Sequence, residues 1–315
     1  MEQQSTGSPK ILVSGASGMI GNALVRSCAT DRIQVVRLVR GPSRHGANSP
    51  SAASSIVWDP SASMPISDLS GLMGVQAAVH LSGAPVAGPR WTAAYKREIV
   101  SSRVLSTLAL VNVLTRLRPV PKVLVCASAI GIYGDRGDEI LTEDSAPGSG
   151  FLAETCITWE AAARAAEDAG IRVVHTRFGV VLSKAGGALA KLLPLFRLGL
   201  GGKLADGRAW MPWVTLRDTV GILRYCVQDE RIRGAINAVS PTPVTNADFT
   251  NALGAALHRP AILPVPAFGL RLAFGEMADQ ALLASARVVP ARLEAAGFQF
   301  ANPRIGEGLR AVLAE

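Results

Sequence analysis

Short, unbroken apolar runs recur through the first half of the chain, separated by stretches whose apolar positions return every three or four residues. Ile11-Leu12-Val13 is the first run, and helical spacing continues over 19–28. Continuous runs of this length read as strands buried on both faces, and the intervening period reads as amphipathic helix. The same alternation predicts strands over 34–39, 56–58, 77–81, 121–126 and 171–176, with helices over 90–118 and 151–169. Strands and helices that alternate in this way build a doubly wound parallel sheet, so the fold class expected is α/β and Rossmann-like over 1–182. Residues 183–315 read as a lid followed by a smaller, mostly helical, substrate-covering domain. The stretch 210–240, with a strand over 234–239, is expected to return to the first domain.

The turn between the first strand and the first helix carries the clearest chemistry. Gly15-Ala16-Ser17-Gly18-Met19-Ile20-Gly21 places glycines where strand becomes helix. Gly15 permits the tight turn, Gly18 lets a pyrophosphate approach the helix N-terminus, and Gly21 lets the helix pack closely. Gly15, Ser17, Gly18, Met19, Ile20 and Gly21 are therefore expected to hold a dinucleotide. The Gly-x-x-Gly-x-x-Gly spacing resembles the short-chain dehydrogenase/reductase superfamily, especially its extended, epimerase-like branch. Arg40 ends the second strand where the adenine ribose would be met, and no carboxylate occurs from Arg32 to Trp58. An NAD site uses Asp or Glu there, whereas a 2′-phosphate needs a cation, so the cofactor expected is NADP(H), with Arg40 as its partner and Arg44 as a helper. Small residues after the fourth strand, Leu81-Ser82-Gly83, are expected to line the cofactor, beneath a mobile loop over 43–55. His80 lies inside an apolar run and reads as a packed core histidine.

Composition narrows the partners. The 315 residues are 49% apolar and carry a formal charge of +8, but the arginines are scattered and no basic run interleaves with aromatics. The expectation is a small-molecule substrate and no nucleic-acid partner. No continuous apolar run reaches the roughly 18 residues of a membrane span, and the start is polar, so a cytoplasmic protein with no membrane partner is expected. Cys28, Cys126, Cys156 and Cys226 are far apart and form no Cys-x-x-Cys pair, which argues against a metal site or a disulfide framework.

Taken in order, further motifs resemble one group of extended short-chain dehydrogenase/reductases, the "epimerase family" proteins with a C-terminal domain of unknown function. They are Trp58-Asp59-Pro60, Arg90-Trp91 with Ser102-Arg103, Tyr133-Gly134, Trp159-Glu160-Ala161-Ala162, Phe196 to Gly202, Pro212-Trp213, Asn237, Arg259 to Pro266 and Ala296-Gly297-Phe298. The resemblance implies NADP binding, places cofactor contacts on Arg40, Leu81, Ser82, Glu98, Arg103 and Val181, and implies a homodimer. For Glu98 and Arg103 it is the sole basis, since helical spacing by itself puts them on a wet face.

The superfamily's Tyr-x-x-x-Lys pair, in which the cation lowers the phenol pKa for proton exchange with substrate, is absent. The tyrosines are Tyr95, Tyr133 and Tyr225, none followed four residues later by lysine, and no lysine occurs from Val123 to Ser183. Losing a general acid or base costs on the order of a hundred- to ten-thousandfold in rate. Ser128 and Tyr133 are the replacement candidates, followed by Glu154 and Cys156; Tyr133 equally suits a structural role and Cys156 a small core residue. Trp210, Trp213, Lys203 and Arg217 are candidates to line a substrate site under a flexible Gly-rich cover over 198–203. Two functions fit: an NADP(H)-dependent oxidoreductase or epimerase/dehydratase-like enzyme with another proton donor, or a catalytically silent NADP-binding regulatory protein.

Overall fold

Parity along each strand sorts the apolar runs into two cores. In strand β1 (Lys10–Ser14), Ile11 and Val13 join one cluster and Leu12 the other, and in β5 (Val123–Ala129) Val123 and Val125 part from Leu124 and Cys126 in the same way. The computed structural model describes residues 9–41 and 53–315. With β2 (Gln34–Val39), β3 (Ala53–Val57), β4 (Ala77–His80), β6 (Arg172–Phe178) and β7 (Gly234–Ala238), these strands form a seven-stranded parallel sheet in the order β7-β6-β5-β4-β1-β2-β3. This is the expected Rossmann-like arrangement. The strand order reverses between β1 and β4, and the crevice beyond their C-terminal ends is where such sheets bind ligands.

Helix α1 (Met19–Thr30) covers one face together with a later helix, Leu216–Gln228, and packs Leu24 and Cys28 beside Ile222 and Leu223. Helix α2 (Ala93–Arg116) covers the other face through Leu110, Val113 and Leu114. By length and composition alone α2 is the one helix among the described residues long and apolar enough to cross a membrane, and half of its apolar window is buried inside the protein.

The helix expected over 151–169 is two: α3 (Phe151–Ala161) and α4 (Arg164–Asp168). Its backbone tightens between them, where the Ala163 N–H bonds to the Glu160 carbonyl, and this turns Ala163 and Ala166 into the α2-side core. Beyond the sheet follow α5 (Gly187–Arg197), α6 (Leu216–Gln228), α7 (Asn246–Leu257), α8 (Ala267–Phe274), α9 (Ala291–Ala295) and α10 (Ile305–Ala314). Leu189, Leu193, Phe196, Trp213, Phe249, Leu253 and Leu309 form a third core between α5, α7 and α10.

The Gly-rich stretch over 198–203 is stitched down rather than loose. Leu263 N–H donates to Gly201 O (3.1 Å) and Val265 N–H to Lys203 O (2.9 Å). The segment after α8 leans on the front of the sheet: Glu276 pairs with Lys96, and Met277 packs with Trp91 and Ile99.

His80 fixes the ends of β1 and β4 against α2. The Ser106 hydroxyl donates to Ser102 O (2.6 Å), so toward the ring it accepts, from Nε2 of His80 (3.1 Å). Nδ1 then accepts from the Ser14 hydroxyl (2.5 Å), whose oxygen also receives the Leu81 N–H (3.3 Å). This chain of donors fits only the neutral Nε2–H ring. Burial pushes the His80 pKa down to about 4 from 6.5. The unfolded chain takes up a proton near 6.5 and the folded one does not, so stability is lost as pH falls from 6.5 to about 4, by about 3 kcal/mol from this residue. A histidine titration by NMR should find the His80 ring still neutral at pH 5; a midpoint near 6.5 would contradict the buried assignment.

Candidate functional site

The glycine turn sits directly on the end of β4. Gly15 has φ +68°, and a Cβ there would lie 2.6 Å from both the carbonyl carbon and oxygen of Leu81. A Cβ at Gly21 would lie 2.3 Å from Gly15 O, so the first turn of α1 folds onto the loop itself. No side chain caps α1 and no acidic residue stands in its first turn. Its first helical bond is Asn22 N–H to Gly18 O, which leaves the N–H groups of Met19, Ile20 and Gly21 without intrahelical acceptors. A cradle with no room for side chains, facing free N–H groups and a helix dipole, suits a pyrophosphate. Ser17 and Gly18 are exposed at its mouth.

Around it, Arg40 is exposed at the end of β2, while Leu81 and Ser82 are half-buried and Gly83 is exposed. Arg103 reaches from α2 to the same place: a Cβ at Gly83 would meet its guanidinium carbon at 3.2 Å. That guanidinium lies 5.0 Å from the Trp159 ring centre, and Nη1 donates to Ile99 O (2.9 Å). Arg103 is buried and forms no ion pair among the described residues. Glu98 is exposed on α2 and Val181 is buried in the short strand Val180–Leu182. Arg44 and most of the loop expected over 43–55 lie outside the described residues.

A row of polar side chains continues along the C-terminal edge of the sheet. Ser128 of β5 pairs in register with Arg177 of β6, which pairs with Asn237 of β7. Glu160 of α3 takes a two-pronged contact from Arg177, Nε to Oε1 (2.9 Å) and Nη2 to Oε2 (3.0 Å), and accepts the Ser128 hydroxyl at 2.6 Å. Arg177 Nη1 donates to the Tyr133 oxygen (2.9 Å), and the Tyr133 hydroxyl donates to Asn237 Oδ1 (2.7 Å). Asn237 N–H in turn reaches Glu143 (2.9 Å).

Burial pushes Glu160 up, but the Arg177 fork and the Ser128 hydroxyl outweigh it and hold the carboxyl below its usual range. Glu143 goes the other way: burial raises it more than the N–H groups of Asn237 and Arg292 lower it. Burial likewise raises the Tyr133 phenol despite the neighbouring Arg177. Breaking one partner out of a buried ion pair such as Arg177 and Glu160 costs about 3–5 kcal/mol. Tyr133 is fully buried with its proton and a lone pair already committed, so it is a positioning residue of this row and not a free phenol at a cleft.

Of the other candidates, Cys156 is a buried thiol pushed up to about 11 by burial, which leaves it protonated at neutral pH and unsuited to nucleophilic attack. Glu154 is exposed in the first turn of α3. Trp213 is core, not lining: it is 1% exposed, packs over Gly308 and donates to Thr242 O (3.2 Å). Arg217 opens on a groove between α1 and α6. Lys203 is exposed, and a Cβ at Gly207 would touch its stem. Trp210 is half-buried, bonded through its indole N–H to Asp138 (2.7 Å) with Arg287 over its ring. Glu160, Arg177, Asn237 and Glu143 had no assigned role in the sequence. Their pairing spans 94 residues between Glu143 and Asn237; strand register aligns Arg177 with Asn237, while α3 and the turn after Leu141 bring Glu160 and Glu143 to them.

Comparison with known proteins agrees with this geometry. Residues 11–238 match the NAD dependent epimerase/dehydratase family, and residues 265–312 match a domain of unknown function, DUF1731. An epimerase family protein of Mycobacterium bovis is 40% identical over 95% of this chain and 96% of its own length. The crystal structure of human epimerase family protein SDR39U1 with NADPH superposes with a TM-score of 0.88 at 33% identity, covering 97% of this chain and 99% of that one. A nucleoside-diphosphate sugar epimerase from Corynebacterium glutamicum has a TM-score of 0.76 at 35% identity, covering 97% of this chain and 59% of that one. With the glycine cradle, the parallel sheet and the C-terminal helices all accounted for, the chain belongs to the NAD dependent epimerase/dehydratase family and carries DUF1731 at its C-terminal end.

Proposed function

We propose that the chain is an NADP(H)-dependent enzyme of the oxidoreductase or epimerase/dehydratase type, acting on a small molecule without a Tyr-x-x-x-Lys pair. The observation that carries this reading is the Gly15 cradle, where a Cβ would collide with the Leu81 backbone and the N–H groups of Met19, Ile20 and Gly21 have no intrahelical acceptor. The similarity to human SDR39U1, crystallised with NADPH, supports the choice of cofactor. Gly15, Ser17, Gly18, Met19, Ile20 and Gly21 would hold the pyrophosphate, and Arg40 the 2′-phosphate. Leu81, Ser82, Gly83, Arg103 and Val181 would hold the nicotinamide end, with Glu98 included on resemblance alone. When bound, the nicotinamide gives or accepts a hydride. In this reading Ser128, buried at 2% exposure and donating to Glu160, turns from that acceptor to exchange a proton with substrate, and Tyr133 and Arg177 keep the row aligned. Four free, buried cysteines suit the reducing cytoplasm.

A second reading, NADP(H) binding without chemistry, is favoured by the same hydrogen bonds, because the protons of both Ser128 and Tyr133 are already engaged inside the protein.

Fluorescence titration should show NADPH binding at least roughly tenfold more tightly than NADH, with Arg40→Ala removing that preference and Gly15→Ala abolishing saturable binding. In the same samples, a panel of carbonyl compounds and nucleotide sugars reads turnover. Oxidation of NADPH that falls about a hundredfold or more in Ser128→Ala establishes the enzyme; tight binding with no turnover across the panel supports the silent protein. Tyr133→Phe should lower stability by about 1–3 kcal/mol in urea unfolding while NADPH affinity stays within about twofold. A large loss of NADPH affinity with unchanged stability would contradict its positioning role.

A further inference from the structure

Fifteen large hydrophobic side chains are exposed among the described residues, and eight of them come from two short stretches, 195–200 and 262–274. The strap that opens the second stretch lies beside the first, since the bonds from Leu263 to Gly201 and from Val265 to Lys203 join them and a Cβ at Gly199 would touch Pro260, and α8 follows the strap directly. Leu198 is 73% exposed, Ile262 79%, Phe268 73% and Leu272 77%, so these side chains stand out from the surface instead of filling it. Phe268 and Leu272 are four apart on α8 and share a face. Scattered apolar residues on a surface need no explanation, but a contiguous group marks a place of contact.

Within these two stretches the charge has one sign, and acidic residues begin just beyond them at Asp206, Glu276 and Asp279. Residues 195–204 and 258–274 contain Arg197, Lys203, Arg259 and Arg271 and no Asp or Glu. Arg271 pairs with Asp279, whereas Arg197, Lys203 and Arg259 form no ion pair among the described residues. Protruding aromatic and aliphatic tips within a cationic rim complement the interface of an anionic bilayer, where the tips enter the acyl boundary and the cations meet headgroup phosphates. The strap between them is held by Pro260, Pro264 and Pro266, which have no N–H to desolvate. A second copy of this chain across a twofold axis would instead bring the same unpaired cations together.

We infer that this face, formed by the end of α5, the proline strap and α8, attaches the protein reversibly to an anionic lipid surface. The absence of a membrane partner expected from the sequence rested on the lack of a continuous spanning run, and interfacial attachment needs none.

The test is co-sedimentation of the full chain with vesicles of phosphatidylcholine alone and of phosphatidylcholine mixed with phosphatidylglycerol. Binding to the mixed vesicles alone, weakened by salt, is expected. The double variant Phe268→Ser, Leu272→Ser should bind at least about tenfold more weakly, and Arg197→Glu with Arg259→Glu should remove the preference for the anionic lipid. Phe268 and Leu272 are exposed, so circular dichroism, melting temperature and NADPH titration of that variant should be unchanged, which separates this result from the fate of the proposed function. Arg259→Glu also gives up the bond from its Nε to Arg197 O (3.0 Å), so the arginine variant is read by its lipid preference. No binding to either vesicle, or equal binding by the Phe268, Leu272 variant, would overturn the inference. So would a lipid-free dimer that the same variant dissociates, or saturable binding of an acidic peptide in place of lipid.

Discussion

The backbone of the glycine turn rests on the backbone of Leu81, and most of the architecture serves to keep that contact in place. Gly15 has no room for a side chain there, and β4 cannot shift, because a neutral, buried His80 ties Ser14 of β1 to Ser106 of α2. The contact therefore sets the spacing of the two strands at the point where the sheet order reverses. It also aims the first turn of α1 into the crevice. An imidazole placed there acts as a rigid two-ended spacer between hydroxyls and takes no part in proton exchange, in keeping with its low pKa.

Further along the same edge, electrostatics replace packing as the organising force. Arg177 sits between Glu160 and Tyr133, and each member of the row has a partner at hydrogen-bond distance. A fully satisfied buried network of this kind fixes one arrangement of β5, β6, β7 and α3. It also explains why a tyrosine retained without a lysine four residues after it need not be a relic of lost chemistry: its hydroxyl joins two strands. The helix after β5 carries no lysine here; its Cys156 is a buried, protonated thiol, and α2 brings the guanidinium of Arg103 against Gly83.

The sheet was legible in the sequence because its strands are buried on both faces. Runs such as Ile11-Leu12-Val13 leave no alternative period, and the glycine turn follows from its place between one run and a helix. Less legible was whatever depends on residues far apart in the chain. Arg177 and Asn237 look like ordinary strand residues until register aligns them with Ser128. Trp213 carries the polar N–H that invites a binding role, yet it fills the third core, and no local pattern distinguishes the two outcomes. The Gly-rich stretch over 198–203 suggested mobility, and only the strap 260–266, some sixty residues later, supplies the hydrogen bonds that hold it. The break after Ala161 was invisible because alanine favours helix on both sides of it.

A crystal structure of the chain grown with NADPH tests the central assignment most directly. The pyrophosphate should lie against the N–H groups of Met19, Ile20 and Gly21, with the adenosine 2′-phosphate at Arg40 and the nicotinamide near Leu81, Gly83 and Arg103. Cofactor bound elsewhere on the molecule, or a glycine turn left empty at saturating NADPH, would contradict the role assigned to that turn.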